Sequence, residues 1–267
     1  MTLARLARPA RAVLLAVVTL ALLGAHASAE DAKQILAPGG TLRVGVYPGS
    51  PTSMVTDAGG QPHGLSYDLG GALAKQLGVP VDYVRFQRVA DIVTAIKDGR
   101  VDFTVTNATP ARANDVAFSQ PVLSIELGYL VPSNSPIVKV DDIDRPGVRI
   151  GVTKGSTSER TLPARFKNAT VVPAESVKIA VAMFARGEID LYATNKPTLF
   201  EMSDQMPGAR ILDGNWGLEH MSVAVPKGRE AALPDVNRVV QDMQSSGALE
   251  TIGHQAGLRG AVKAARE

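Results

Sequence analysis

The chain has 267 residues, 45% of them hydrophobic, with a formal net charge of +2 and no cysteine. So small a charge, without a basic patch interleaved with aromatics, excludes a nucleic-acid surface. The missing cysteines exclude disulfides and thiolate metal sites, so stability has to come from core burial.

The chain opens on a targeting pattern. Arg5, Arg8 and Arg11 precede a 13-residue apolar run at 12–24, and Ala27-Ser28-Ala29 follows. This is the basic region, apolar segment and small-residue cleavage site of a secretory signal. The run is shorter than the roughly 20 residues a spanning helix needs. Removal of residues 1–29 would leave 238 residues with 25 basic and 26 acidic side chains, a sum of −1. With no cysteine to carry a lipid, the mature chain is expected to be free in the periplasm.

From residue 41 onward, strand-like and helix-like segments alternate. Residues 41–47 (TLRVGVY) predict a strand, 67–77 an amphipathic helix, 80–86 a strand, 90–97 a helix and 101–106 a strand. The turn-rich stretch 132–136 (PSNSP) breaks this rhythm, which then repeats. Residues 148–152 predict a strand, 156–166 a helix, 169–172 a strand, 176–186 a helix and 189–194 a strand. A later strand at 221–225 and two helical segments complete the chain. Two βαβαβ units imply an α/β fold of two lobes, each a mainly parallel sheet flanked by helices. Ligands of open α/β sheets sit beyond the carboxyl ends of the strands, so two facing lobes would make a cleft.

Most catalytic signatures are absent. There is no G-x-G-x-x-G, Walker A or G-x-S-x-G pattern. The run 151–157 (GVTKGST) is no phosphate loop, because Lys154 precedes Gly155 instead of following it. His26, His63, His220 and His254 show no metal-ligand spacing, so neither a metal nor a cofactor is expected.

One set of motifs, in order, is more specific than any of them alone. It comprises TLRVGV at 41–46, GLSYDL at 64–69, DIVTAIKDGRV at 91–101, TPAR at 109–112, FSQP at 118–121, GVTKGST at 151–157 and GEID at 187–190. In these residues the chain resembles the family 3 periplasmic amino-acid-binding proteins. The resemblance implies two lobes joined by two hinge segments, with residues 30–130 and 226–267 in lobe 1 and 131–225 in lobe 2. It also implies closure around one small carboxylate-bearing ligand, delivery to an ABC permease in the inner membrane, no catalysis and a monomeric state.

The resemblance also assigns roles. Arg112 forks onto the ligand carboxylate, a task suited to the planar guanidinium; on sequence alone the exposed arginine on a short helix is the favoured reading, and the surrounding motif reverses it. Asn107 and Thr109 lie in the loop feeding Arg112, Asn107 being either a carboxylate contact or a turn residue. Ser156 and Thr157 open a helix in lobe 2 and either clamp the same carboxylate or cap the helix, two roles that are compatible. Asn195 stands where the family usually has an aspartate for the ligand ammonium, so the expected ligand does not depend on a full ammonium charge. Ser50 and Leu65 occupy positions where aromatics are frequent, and Ser66 replaces an aspartate. Tyr47, Tyr192 and Trp216 are alternative sources of aromatic surface. A second reading is a family-like enzyme of the cyclohexadienyl dehydratase type, with Glu219 or Asp68 as its acid. A third is a sensory or oxidoreductase-associated binding protein outside transport.

Overall fold

The computed structural model describes residues 32–262; the expected signal segment lies outside them. In lobe 1, β1 (Leu42–Val46) and β4 (Val81–Arg85) pair in parallel around α1 (Leu65–Leu77), with a small antiparallel hairpin, β2 (Val55–Thr56) and β3 (Pro62–His63), before the helix. Helix α2 (Val89–Lys97) leads to β5 (Thr104–Asn107), and just before that strand Phe103 makes a parallel bridge to Val44 of β1. The four-residue helix α3 (Pro110–Ala113) follows.

The chain then crosses to lobe 2 along β6 (Val116–Val131). That lobe holds β7 (Arg149–Thr153), α4 (Thr157–Thr161), β8 (Thr170–Ala174), α5 (Val177–Ala185), β9 (Leu191–Asn195), α6 (Lys196–Asp204) and β10 (Arg210–Ile211). The return path is β11 (Gly217–Pro226), after which α7 (Leu233–Ser245), α8 (Ala248–Gln255) and β12 (Ala261–Val262) end the described chain. Strand β7 runs parallel to β8 and β9, as the alternating pattern predicts, whereas β6 and β11 are antiparallel to each other along most of their length.

These two long strands are the connection between lobes. Ile125 packs in the lobe 1 core with Leu42, Phe103 and Met221, while Leu127 packs in the lobe 2 core with Ile150, Leu191 and Trp216. The core therefore changes hands inside each strand, between 125 and 127 on the way out and between 216 and 221 on the way back. Those points lie several residues upstream of residues 131 and 226, the lobe bounds that the resemblance implies.

Two further differences have local causes. The helix expected over 156–166 stops at Thr161 and continues as a 3-10 turn, Leu162–Ala164, because Pro163 offers no N–H to extend it. Strand β6 contains Pro121, which argues against a central strand; Ser222 pairs with it at a register shift, the kind of irregularity where proline is tolerated.

Both lobes repeat one ion-pair device. Arg43, at the start of β1, donates from its backbone N, Nε and Nη2 to Asp102 at 3.0, 2.8 and 2.7 Å. Arg149, at the start of β7, donates from the same three atoms to Asp190 at 2.8, 3.0 and 2.8 Å. Each aspartate anchors the base of its sheet, far from the strand ends that face the other lobe. Asp102 is fully buried and also takes Nη1 of Arg229 at 2.6 Å. Burial pushes its carboxyl up, but the arginine hydrogen bonds outweigh burial and leave it below the ordinary value.

Candidate functional site

The parallel strands of both lobes aim their carboxyl ends at one place. Tyr47 follows β1, Asn107 ends β5, Thr153 ends β7 and Asn195 ends β9, and all four line the same interlobe cavity. Its volume is about 40 Å³. One water needs roughly 10–15 Å³ of such space, so the closed cavity is of small-molecule scale.

The lobes are closed on each other. Ser50 Oγ meets Thr198 Oγ1 of α6 at 2.7 Å, and Asn107 Nδ2 donates to Thr157 Oγ1 at 3.2 Å. At the rim, Arg88 of lobe 1 pairs with Glu175 of lobe 2. Gly155 lies so close to Ala90 that a Cβ added there would stand 2.4 Å from the Ala90 Cβ.

Arg112 is held by its own local sequence. Thr109 caps α3, its hydroxyl accepting the Arg112 backbone N–H at 3.2 Å, and Pro110 fills the first helical position, where no N–H is needed. The guanidinium is buried, donating from Nη1 to Thr106 Oγ1 at 2.7 Å and to the Asn107 carbonyl at 3.2 Å. Of its five N–H donors, the protein's hydrogen bonds draw on this one nitrogen, and among the described residues it makes no ion pair. Burial lowers its pKa to about 10, with Glu219 opposing, so it stays charged at neutral pH. A buried, charged fork facing a cavity is an anion receptor.

The remaining expected site residues divide. Asn107, Ser156, Thr157, Asn195, Ser50 and Arg112 line the cavity; Thr109 and Leu65 do not. Thr109 acts through the cap it gives Arg112. Leu65 is 0% exposed in the lobe 1 core, where α1 packs on β1, so an apolar residue there serves packing. Ser156 caps α4 by accepting the Glu159 N–H at 3.2 Å. Asn107 is neither free nor a simple turn residue: its Oδ1 accepts the His220 N–H at 3.0 Å while its Nδ2 reaches Thr157. Among the aromatics, Tyr47 lines the cavity, whereas Tyr192 and Trp216 are core residues, the indole N–H donating to the Gly128 carbonyl at 3.1 Å.

Asn195 is the largest departure from expectation. Its Oδ1 caps α6 by accepting the Thr198 N–H at 3.1 Å, and its Nδ2 donates to Glu219 Oε2 at 3.3 Å. Both ends of the amide are thus engaged within the protein. Glu219, considered from sequence only as an acid for an enzyme, lines the cavity on β11 and is 8% exposed. Burial pushes its carboxyl above the ordinary value; Arg112 and hydrogen bonds from Thr157 and Asn195 pull the other way. Its signal was strand alternation: Glu219 falls in phase with Met221, Val223 and Val225 on the buried face. Beginning the strand at residue 221 hid it. Among the described residues no histidine, aspartate or glutamate cluster could hold a metal, and no helix is long and apolar enough to cross a membrane.

Two α/β lobes, two strands passing between them and a buried polar cavity at the crossing define a hinged small-molecule-binding protein. Residues 42–256 match the profile of the bacterial extracellular solute-binding proteins, family 3, and the chain belongs to that family. Similar proteins include an ABC transporter glutamine-binding protein, GlnH, of Bacillus subtilis (strain 168), 24% identical over 72% of each chain. A probable histidine-binding protein of Neisseria gonorrhoeae is 24% identical over 90% of this chain and 92% of its own. Among solved structures, the ancestral amino acid-binding protein AncCDT-1, a precursor of cyclohexadienyl dehydratase, is 27% identical with a TM-score of 0.73, covering 84% of this chain and 98% of its own. An ancestral arginine-binding protein bound to glutamine is 27% identical with a TM-score of 0.72, covering 81% and 97%.

Proposed function

We propose that this chain captures an amino acid or closely related small carboxylate in the interlobe cleft and presents it, closed, to an ABC permease. The observation that carries the reading is Arg112: a buried guanidinium, oriented by Thr106 and the Asn107 carbonyl, facing a small cavity and in no direct ion pair among the described residues. The amino-acid-binding names of the similar proteins, and the ABC transporter in one of them, agree with it. Contacts from both lobes give a ligand its differential affinity for the closed state, which drives closure.

The mature protein acts as a monomer in the periplasm, released by cleavage after Ala29. A thermal-shift screen of amino acids, hydroxy acids and dicarboxylates tests the ligand class, since a molecule that binds only the folded state raises its stability. A rise of several degrees with a carboxylate supports the reading; no response to any of them contradicts it. N-terminal sequencing of protein released by osmotic shock tests the location.

One observation favours an enzyme: Glu219 is a buried carboxyl with a raised pKa inside the cavity, as a general acid requires. Recovering the bound molecule chemically unchanged after prolonged incubation excludes that alternative.

A further inference from the structure

The cavity holds two buried charges of opposite sign on different parts of the fold. Arg112 belongs to α3 in lobe 1, and Glu219 to the return strand β11. Both line the cavity, and among the described residues they form no ion pair with each other. Each is held by neutral partners, Arg112 by Thr106 and the Asn107 carbonyl, Glu219 by Asn195 and Thr157. An anion receptor and a cation receptor therefore face one small space from different elements.

Asn195 is a poor cation receptor: it carries no charge, its Oδ1 already accepts the Thr198 N–H, and its Nδ2 turns its hydrogens toward Glu219. What Asn195 does is aim Glu219. We propose that Glu219 is the receptor for a cationic group on the ligand, so that the captured solute is a zwitterion whose carboxylate lies on Arg112 and whose ammonium lies on Glu219. This inference rests on the proposed function and specifies its ligand.

The electrostatics are consistent. A buried carboxylate hydrogen-bonded only to neutral donors, with Arg112 acting on it without a direct ion pair, is incompletely compensated, and an ammonium placed against it completes the pair. A carboxylate ligand without an amine brings a second negative charge beside Glu219 and is repelled. The partners of Glu219 also couple capture to closure. Thr157 and Asn195 both belong to lobe 2, so the carboxylate is fully oriented only when that lobe has closed onto β11.

The test is calorimetric titration of the full mature chain with matched pairs: glycine and glycolate, L-alanine and L-lactate, L-leucine and 2-hydroxy-4-methylpentanoate, L-arginine and its α-hydroxy analogue. The wild type is expected to bind the amino member of at least one pair tenfold or more tighter than the hydroxy member. Glu219→Gln should cut that preference below threefold by weakening the amino member. Should the glutamine variant not fold, Glu219→Leu, of similar volume, is read in the same way. Equal binding of both members by the wild type, or a preference that survives loss of the carboxylate, overturns the inference while leaving carboxylate capture by Arg112 standing. Failure of every pair to bind overturns the inference together with the reading beneath it.

Discussion

Gly155→Ala isolates closure from folding. Gly155 has φ +74°, a left-handed conformation that costs a residue with a side chain about 1–2 kcal/mol. That strain is internal to the turn before α4 and is paid whether the lobes are open or closed. The second cost arises only on closure. The new Cβ would stand 2.4 Å from the Ala90 Cβ across the cleft, against about 3.5–4.0 Å for relaxed carbon contact, so the lobes must part by over 1 Å. At that separation the interlobe hydrogen bonds Ser50–Thr198 and Asn107–Thr157 are lost. At about 1 kcal/mol each, the closed state loses about 2 kcal/mol, or about 30-fold in affinity. Gly187→Ala is the control: its φ of +64° carries the same strain, with nothing within 4 Å of the added Cβ. Both variants should lose similar stability in urea, and only Gly155→Ala should lose affinity by calorimetry and contraction by small-angle scattering. Equal affinities for the two variants would refute the contact between Gly155 and Ala90 as part of the closed state.

Three other perturbations probe separate parts of the account. Arg112→Ala should weaken binding of the tightest amino acid by about 2–5 kcal/mol, roughly 30- to several-thousand-fold, while the unliganded protein keeps its circular dichroism; unchanged affinity would remove the carboxylate assignment. Asn195→Asp should not strengthen amino-acid binding, because its carboxylate would replace a donor that lies 3.3 Å from Glu219 and the two acids would repel; tighter binding by calorimetry would place the ammonium at residue 195 instead of at Glu219. Asp102→Asn should destabilise the protein by about 2–4 kcal/mol at neutral pH, since it leaves Arg43 and Arg229 without their buried partner. Because the Asp102 carboxyl is lowered by folding, its contribution is present above the ordinary carboxylate range and is lost as pH falls through the folded value. The stability gap between wild type and Asp102→Asn, measured by urea unfolding, should therefore close in acid; a gap constant with pH would contradict the assignment.

The βαβ rhythm was legible because β1, β4, β7 and β8 are short, branched-residue strands bounded by turn signals, and α1, α2 and α5 carry clear apolar faces. Strand β6 was not, since Ser119, Gln120, Pro121 and Ser124 interrupt its pattern; it persists because β11 pairs with it across the irregularity at Ser222. The passage between lobes has no local signal for the same reason, since core membership changes from Ile125 to Leu127 within an unbroken strand. In the site, Arg112 was legible from TPAR, whose Thr and Pro build the cap that presents it. Leu65 was misjudged because occupying a motif position does not decide which side of a helix faces the ligand. Asn195 and Glu219 were separable only in space: they are 24 residues apart, and their hydrogen bond reverses the charge inference drawn from Asn195 by itself.

A crystal structure of the protein with its tightest-binding amino acid tests the central claim most directly. The account predicts one molecule in the interlobe cavity, its carboxylate forked by the free donors of Arg112 and its ammonium within hydrogen-bond distance of a Glu219 oxygen. A molecule bound elsewhere, or one in this cavity with its carboxylate away from Arg112, would contradict it.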